Sequence, residues 1–175
     1  ISLAPMFIGQ AAAEEVAVLV VSEESSRDAE SRRSPVFRTA LIAVAQAMLR
    51  RKLTPKGAEE VLPKGSYQTK GRNTMKVWLR AAERAEPKVQ FAVGLRLVAS
   101  VIDRPQSRLV EVKLSADSRA VPSGDQVGYF EMDKPRRYAL PADCDRKCVV
   151  KVATDAVKEV ASEAGAASAS SIDRA

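Results

Sequence analysis

Apolar side chains recur at helical spacing in the stretch that follows Ser34 and Pro35. Serine at the N-cap and proline in the first turn are both typical of a helix start, so we expect a helix from Pro35 to about Arg51. Its apolar stripe consists of Phe37, Leu41, Val44 and Met48, widened by Ile42, Ala45 and Leu49. The pattern therefore predicts a helix that packs a broad apolar face on the rest of the molecule.

Two further stretches show the same period. Segment 74–86, with Asn73 as its cap, predicts a second helix whose tryptophan, Trp78, sits among apolar neighbours and is expected to anchor the core or its rim. Segment 146–164 predicts a last helix, with a stripe formed by Val149, Val152, Ala156 and Val160. We expect Gly165 to end this helix, and residues 165–175, which are mostly Ala and Ser, to form a disordered tail.

Between these helices the apolar pattern is that of strands. Val16–Val21 is a short β-branched run of the kind that is buried on both faces of a sheet. From Val89 the period is two, and the turn at 103–107 leads into a second alternating run from Leu109 to Ala116. These runs predict a long antiparallel hairpin with one buried (dry) face and one solvent-exposed (wet) face. A further short strand is predicted from Val127.

The segments that connect these elements are predicted to be irregular. The polar residues 22–34 are expected to form a long exposed loop after the first strand. Pro55 and Gly57 are expected to interrupt the helical structure after the first helix, before a short helical turn at 57–62. We therefore predict an α/β fold, with α+β as the alternative, in which two or three helices pack on one mixed sheet.

The first thirteen residues have the pattern of an export signal. A mostly apolar start leads to Ala11-Ala12-Ala13, which offers small residues at the two positions that a signal peptidase inspects, and two glutamates follow. We expect residues 1–13 to be the remnant of a signal peptide whose beginning lies upstream, and residues 14–164 to be the domain. The alternative is a structured apolar segment of a cytosolic domain.

Composition narrows the chemistry available to the chain. It has 175 residues, 46% of them hydrophobic, and no histidine, which excludes the usual general base and most zinc sites. No stretch reaches the roughly 20 apolar residues that a transmembrane helix needs. The sequence also lacks a nucleophile elbow and a phosphate-binding loop. We therefore expect no enzymatic activity and no cofactor or metal.

Cys144 and Cys148 are the two cysteines of the chain, in the sequence PADCDRKC. If Cys144 lies in the turn before the last helix, as Pro141 favours, a small-loop disulfide is feasible, and an exported chain with an even cysteine count favours it. Free thiols, or a reactive or metal-binding pair, are the alternatives.

Positive charge is concentrated between Arg50 and Lys88, a segment with eleven basic and four acidic residues. The net charge of the whole chain is +6. This segment is either an anion-facing surface or simply a solvated basic face. The candidate residues for binding an anion or a partner are Arg50, Arg51, Lys52, Lys76, Arg80 and Arg84.

The order of these elements resembles that of a group of small periplasmic α/β domains. The elements are VAVLVV, VFRTALIAVAQAML, a second helix, the hairpin FAVGLRLVASVID and LVEVKLSA, and VVKVATDAVKEVA. The group comprises curli-secretion lipoproteins, penicillin-binding-protein activator lipoproteins and the N-terminal domain of the Tol-Pal translocation protein. The chain departs from it in two ways, since it has no cysteine for lipidation and no evident strand between the first two helices. The resemblance implies non-enzymatic binding or assembly at the cell envelope.

The sequence thus predicts an exported, non-catalytic domain, periplasmic or secreted, that binds an envelope protein or an anionic polymer. The hairpin edge and the segment 50–88 are the candidate binding surfaces. One alternative is a cytosolic nucleic-acid-binding module that uses the segment 50–88 against phosphates. A third hypothesis is an enzyme that uses carboxylates or a thiolate.

Overall fold

A six-stranded mixed sheet forms the centre of the computed structural model, which describes residues 15–23, 34–63 and 73–175. In chain order the elements are β1 (Ala17–Ser22), α1 (Pro35–Leu49), β2 (Thr54–Gly57), α2 (Ala58–Val61), α3 (Met75–Glu83), β3 (Phe91–Arg104), β4 (Ser107–Ala120), β5 (Gln126–Glu131), β6 (Arg136–Leu140) and α4 (Arg146–Asp173). The predicted signal-peptide remnant, 1–13, and most of the predicted loop 22–34 lie outside the described residues.

The strands run in the order β2-β1-β3-β4-β5, and β6 also pairs with β4. β1 lies parallel to both β2 and β3, whereas β3 and β4 form an antiparallel hairpin with a two-residue turn at Pro105-Gln106. β5 and β6 follow one another along the same side of β4, both antiparallel to it. This arrangement confirms the predicted α/β class, the mixed sheet and the long hairpin.

The two faces of the sheet have different cover. On the inner face, α1 and α4 enclose the main core, to which Val18, Val93, Leu95 and Leu114 contribute from the strands. On the outer face, α3 places Trp78, which is fully buried, in a smaller cluster with Leu19 and Val21 of β1. β1 is therefore buried on both faces, as its apolar run predicts, and Trp78 is the predicted core anchor.

Gly94 allows Trp78 to approach the sheet closely. A Cβ atom built on Gly94 would lie 2.7 Å from Cε2 and Cζ2 of the Trp78 indole. Because real side chains do not approach so closely, a residue larger than glycine at this position would displace the ring. The predicted wet face of β3 is thus covered at Ala92 and Gly94 and becomes exposed from Arg96 onwards.

The prediction that the last helix ends at Gly165 was wrong, and so was the predicted disordered tail, because α4 continues to Asp173. Gly165 lies where α4 crosses α1, and a Cβ on it would lie 2.8 Å from both the Cβ of Ala47 and the Cα of Val44. Residues beyond Gly165 are also buried, namely Ser168, Ala169 and Ile172. The small residues that resemble a tail in the sequence form the contact face of this helix.

Two strands were not predicted. β2 contains Pro55 and Gly57, which were expected to break the chain, but an edge strand tolerates a proline that cannot donate a hydrogen bond. It occupies the place between the first two helices where the resemblance calls for a strand. β6 is largely polar, and Arg136 of this strand forms ion pairs with Glu159 and Glu163 of α4 at 3.0 and 2.8 Å.

The helix starts are partly as predicted. Ser34 caps α1 and its Oγ accepts a hydrogen bond from the Phe37 amide at 3.3 Å. α3 instead has Thr74 at its N-cap, while the side chain of Asn73 donates to the carbonyl oxygen of Ser22. In the part of the chain that the structure describes, no helix has the length and hydrophobicity required to cross a bilayer.

Candidate functional site

A shallow groove of about 160 Å³ lies on the outer face of the sheet, beyond the area covered by α3. It is lined by Arg96, Val98, Lys113, Ser115, Tyr129 and Glu131. The strand register brings these residues together, since Ser115 of β4 pairs with Arg96 of β3 on one side and with Glu131 of β5 on the other. Side chains from three strands therefore project from the same face at neighbouring positions.

An ion pair spans this groove. Lys113 Nζ lies 3.1 Å from Glu131 Oε1, and the hydroxyl of Tyr129 donates to Glu131 Oε2 at 3.2 Å. The hydrogen bonds from Lys113 and Tyr129 lower the pKa of Glu131 below its ordinary value. Glu131 is therefore ionised at neutral pH and pairs with Lys113.

A second group of charges lies towards α3. Glu23 directly follows β1, and its Oε2 accepts a hydrogen bond from Trp78 Nε1 at 3.2 Å. Asp117 and Arg119 of β4 form an ion pair with a Nε–Oδ2 distance of 2.9 Å. Burial raises the pKa of Glu23 and the charge of Asp117 adds to the effect, whereas the Trp78 hydrogen bond and Arg96 oppose it.

The raised pKa of Glu23 predicts how a neutral substitute would respond to pH. The native state binds the Glu23 proton more tightly than the unfolded state, so this carboxyl costs stability above its native pKa and nothing below its ordinary pKa of 4.5. Glu23→Gln keeps an acceptor for Trp78 and should raise the free energy of unfolding at about pH 7.5 more than at about pH 4. Urea denaturation of both proteins at the two pH values measures this, and an equal difference at both would contradict it.

The basic residues predicted from the sequence fall into two groups in different layers. Arg50, Arg51 and Lys52 follow α1 on the inner side of the sheet, and the backbone of Lys52 has a φ of 60°, which ends the helix. Arg51 forms an ion pair with Asp173 of α4 at 3.5 Å. Lys76 and Arg80 are exposed on α3 and Arg84 at its C-cap, on the outer side. The sheet separates the two groups, and neither contributes to the lining of the groove.

The predicted disulfide between Cys144 and Cys148 is present in the structure, with a Cα–Cα distance of 5.2 Å. Cys144 lies in the turn before α4, and Asp145 caps the helix by accepting a hydrogen bond from the Cys148 amide at 2.8 Å. Arg108, which follows the hairpin turn, donates to the carbonyl oxygen of Cys144 at 3.1 Å. The disulfide joins this turn to the first turn of α4, and the Arg108 hydrogen bond holds the turn beside the hairpin.

Sequence reasoning did not identify the groove. Alternation in the hairpin marks Arg96 and Lys113 as wet-face residues, but only the register between three strands shows that Tyr129 and Glu131 lie beside them. Among the residues that the structure describes, no three His, Cys, Asp or Glu side chains cluster as metal ligands would. The groove offers two cations, a carboxylate, two hydroxyls and the half-exposed Val98, which are groups that can bind a partner.

Comparison with known proteins gives a likeness of fold. No family model matches the chain, and no curated protein matches it in sequence. The solved structure of XCC0632 from Xanthomonas campestris, of family DUF330, is similar with a TM-score of 0.56 and 10% identity, over 92% of this chain and 87% of that one.

Two bacterial lipoproteins also match. They are GNA1162 from Neisseria meningitidis, with a TM-score of 0.48 and 11% identity over 83% of this chain and 98% of that one, and a minor lipoprotein from Acinetobacter baumannii, with a TM-score of 0.40 and 7% identity over 85% and 92%. These three solved structures are a DUF330 protein and two bacterial lipoproteins, and none of the three is a curli-secretion, activator or Tol-Pal protein. The similarity to XCC0632 extends over nearly the whole chain and establishes a shared fold.

Proposed function

We propose that this protein is an exported, non-catalytic domain of the bacterial cell envelope that binds another envelope component. The observation that carries the proposal is the disulfide between Cys144 and Cys148. Disulfides persist in oxidising compartments such as the periplasm and are rare in the cytosol. The small-residue pattern at Ala11–Ala13, which predicts signal cleavage, supports the same location.

The proposed binding role rests on the outer groove. Two of its charged side chains, Lys113 and Glu131, pair with each other, and Tyr129 donates to Glu131, so part of the groove is ordered before a partner binds. The groove has the volume of about one side chain, which fits a single residue of a macromolecular partner better than a drug-sized ligand. An envelope protein or an anionic polymer is the proposed partner class.

The nucleic-acid alternative has less support. A basic surface that follows a phosphate backbone presents its cations along one continuous face. Arg50 and Lys52 lie on the opposite side of the sheet from Lys76 and Arg80, which argues against one shared track for a nucleic acid.

Cell fractionation tests the proposal. A C-terminally tagged protein, expressed from its native gene, should appear in the periplasmic or secreted fraction with a new N-terminus after about Ala13. The matched control replaces Ala11 and Ala13 with bulky residues, which should retain the uncleaved form. Recovery of the wild-type protein in the cytosol with its N-terminus intact would refute export.

A further inference from the structure

Two large aliphatic side chains of α1 point into solvent, although their spacing suggests a core position. Ile42 is 52% exposed and Leu49 is 59% exposed. They are seven residues apart, so they lie on the same side of the helix, whereas Val44 and Phe37, on the opposite side, are buried. The prediction that Ile42 and Leu49 widen the core stripe was therefore wrong, because the contact of α1 with the sheet and α4 uses a narrower face.

The charged residues of α1 and its C-cap are positive. Arg38 lies one turn before Ile42, Gln46 lies between Ile42 and Leu49, and Arg50 follows directly, all of them exposed. The fifteen residues of α1 include no aspartate or glutamate. We define Arg38, Ile42, Gln46 and Leu49 as the α1 outer stripe. Two exposed aliphatic side chains next to two arginines offer an apolar contact and positive charge, and arginine is enriched in protein interfaces.

We propose that the α1 outer stripe docks an acidic amphipathic helix of a partner protein. Apolar residues of such a helix would cover Ile42 and Leu49, and its flanking carboxylates would face Arg38 and Arg50. The inference deepens the proposed binding role and rests on it, but it does not depend on where the protein is located.

Other occupants fit this stripe less well. Helices that bind at a membrane interface present a broad apolar face rich in Trp, Phe and Leu, whereas the stripe has two aliphatic residues and no aromatic one. A second copy of the chain would bring Arg38 and Arg50 of both molecules together, with no acidic side chain on α1 to compensate. An acidic helix meets both the apolar and the electrostatic requirement.

A synthetic helix can test this directly. The probe is a fluorescent peptide of about 18 residues, long enough to be helical, with leucines along one face flanked by glutamates. Its binding to the purified protein is measured by anisotropy, and a peptide with lysines in place of the glutamates is measured in parallel. We expect the glutamate peptide to bind and the lysine peptide to bind at least tenfold more weakly.

Variants of the protein locate the binding. The double variant Ile42→Gln, Leu49→Gln should bind the glutamate peptide at least tenfold more weakly, because each substitution removes an apolar contact. The fold is retained because both side chains are exposed. Val150→Gln, at a residue 36% exposed on another helix, is the matched control and should leave binding unchanged. Equal binding by the double variant, no binding of the glutamate peptide, or binding only to anionic phosphatidylglycerol vesicles would overturn the proposal.

The outcome can be separated from that of the export experiment. If the protein is cytosolic while the glutamate peptide binds at the stripe, export fails and the docking surface stands. If the protein is exported and the peptide does not bind, export stands and the docking surface is refuted.

Discussion

Replacing Gly165 with alanine is expected to lower the free energy of unfolding by about 2–3 kcal/mol. The added methyl group would lie 2.8 Å from the Val44 Cα and 3.1 Å from the Val44 carbonyl oxygen, and backbone atoms of a packed helix cannot yield as a side chain can. The two helices, which pack closely on each other, would have to separate. Thermal unfolding followed by circular dichroism should show a midpoint lower by about 4–12 °C.

The sign of this effect is diagnostic, because helix propensity alone predicts the opposite. Glycine to alanine in an unconstrained helix interior is stabilising by about 1 kcal/mol. The neighbouring exposed residue supplies the control, since Ala166→Gly should destabilise by about 1 kcal/mol through propensity alone. A Gly165→Ala variant as stable as the wild type, or more stable, would mean that α4 does not cross α1 at this position.

Gly94→Ala, on the other side of the sheet, is expected to lower the free energy of unfolding by about 2–3 kcal/mol. Its Cβ would lie 2.7 Å from two ring carbons of Trp78 and 2.9 Å from the indole nitrogen, which donates to Glu23. The ring would have to move and lose that hydrogen bond. Because Trp78 is the single tryptophan of the chain, its fluorescence reports both the displacement and the unfolding.

A double-mutant cycle separates this clash from a general effect of the substitution. In a Trp78→Phe background the smaller ring leaves room near position 94, so Gly94→Ala should cost at least about 1 kcal/mol less than in the wild type. Additive effects of the two substitutions would contradict the close approach of ring and sheet.

The elements that the sequence predicts are those whose signals are local. Ser34 and Pro35 predict the start of α1. The hairpin of β3 and β4 is predicted by an alternation of apolar and polar residues, because its inner face is buried. The Cys144 turn followed from Pro141 and from helix geometry. In each case neighbouring residues in the sequence determine the structure.

The elements that the sequence does not predict depend on distant partners. Pro55 can lie in a strand because β1 pairs with it at an edge, and Gly165 continues a helix because α1 passes beside it. Both residues have a strong local meaning, as breaker and as helix end, that tertiary contact overrides. The groove likewise exists only through the register of β4 with its two neighbours, which no periodicity in a single segment encodes.

The redox state of Cys144 and Cys148 in living cells tests the central claim most directly. Cells are quenched in acid, their free thiols are alkylated with a mass tag, and the tagged protein is compared with and without prior reduction. We expect no mass shift before reduction and a shift of two tags after it, because the disulfide forms in an oxidising compartment. Two reactive thiols in the unreduced sample would contradict an exported envelope domain.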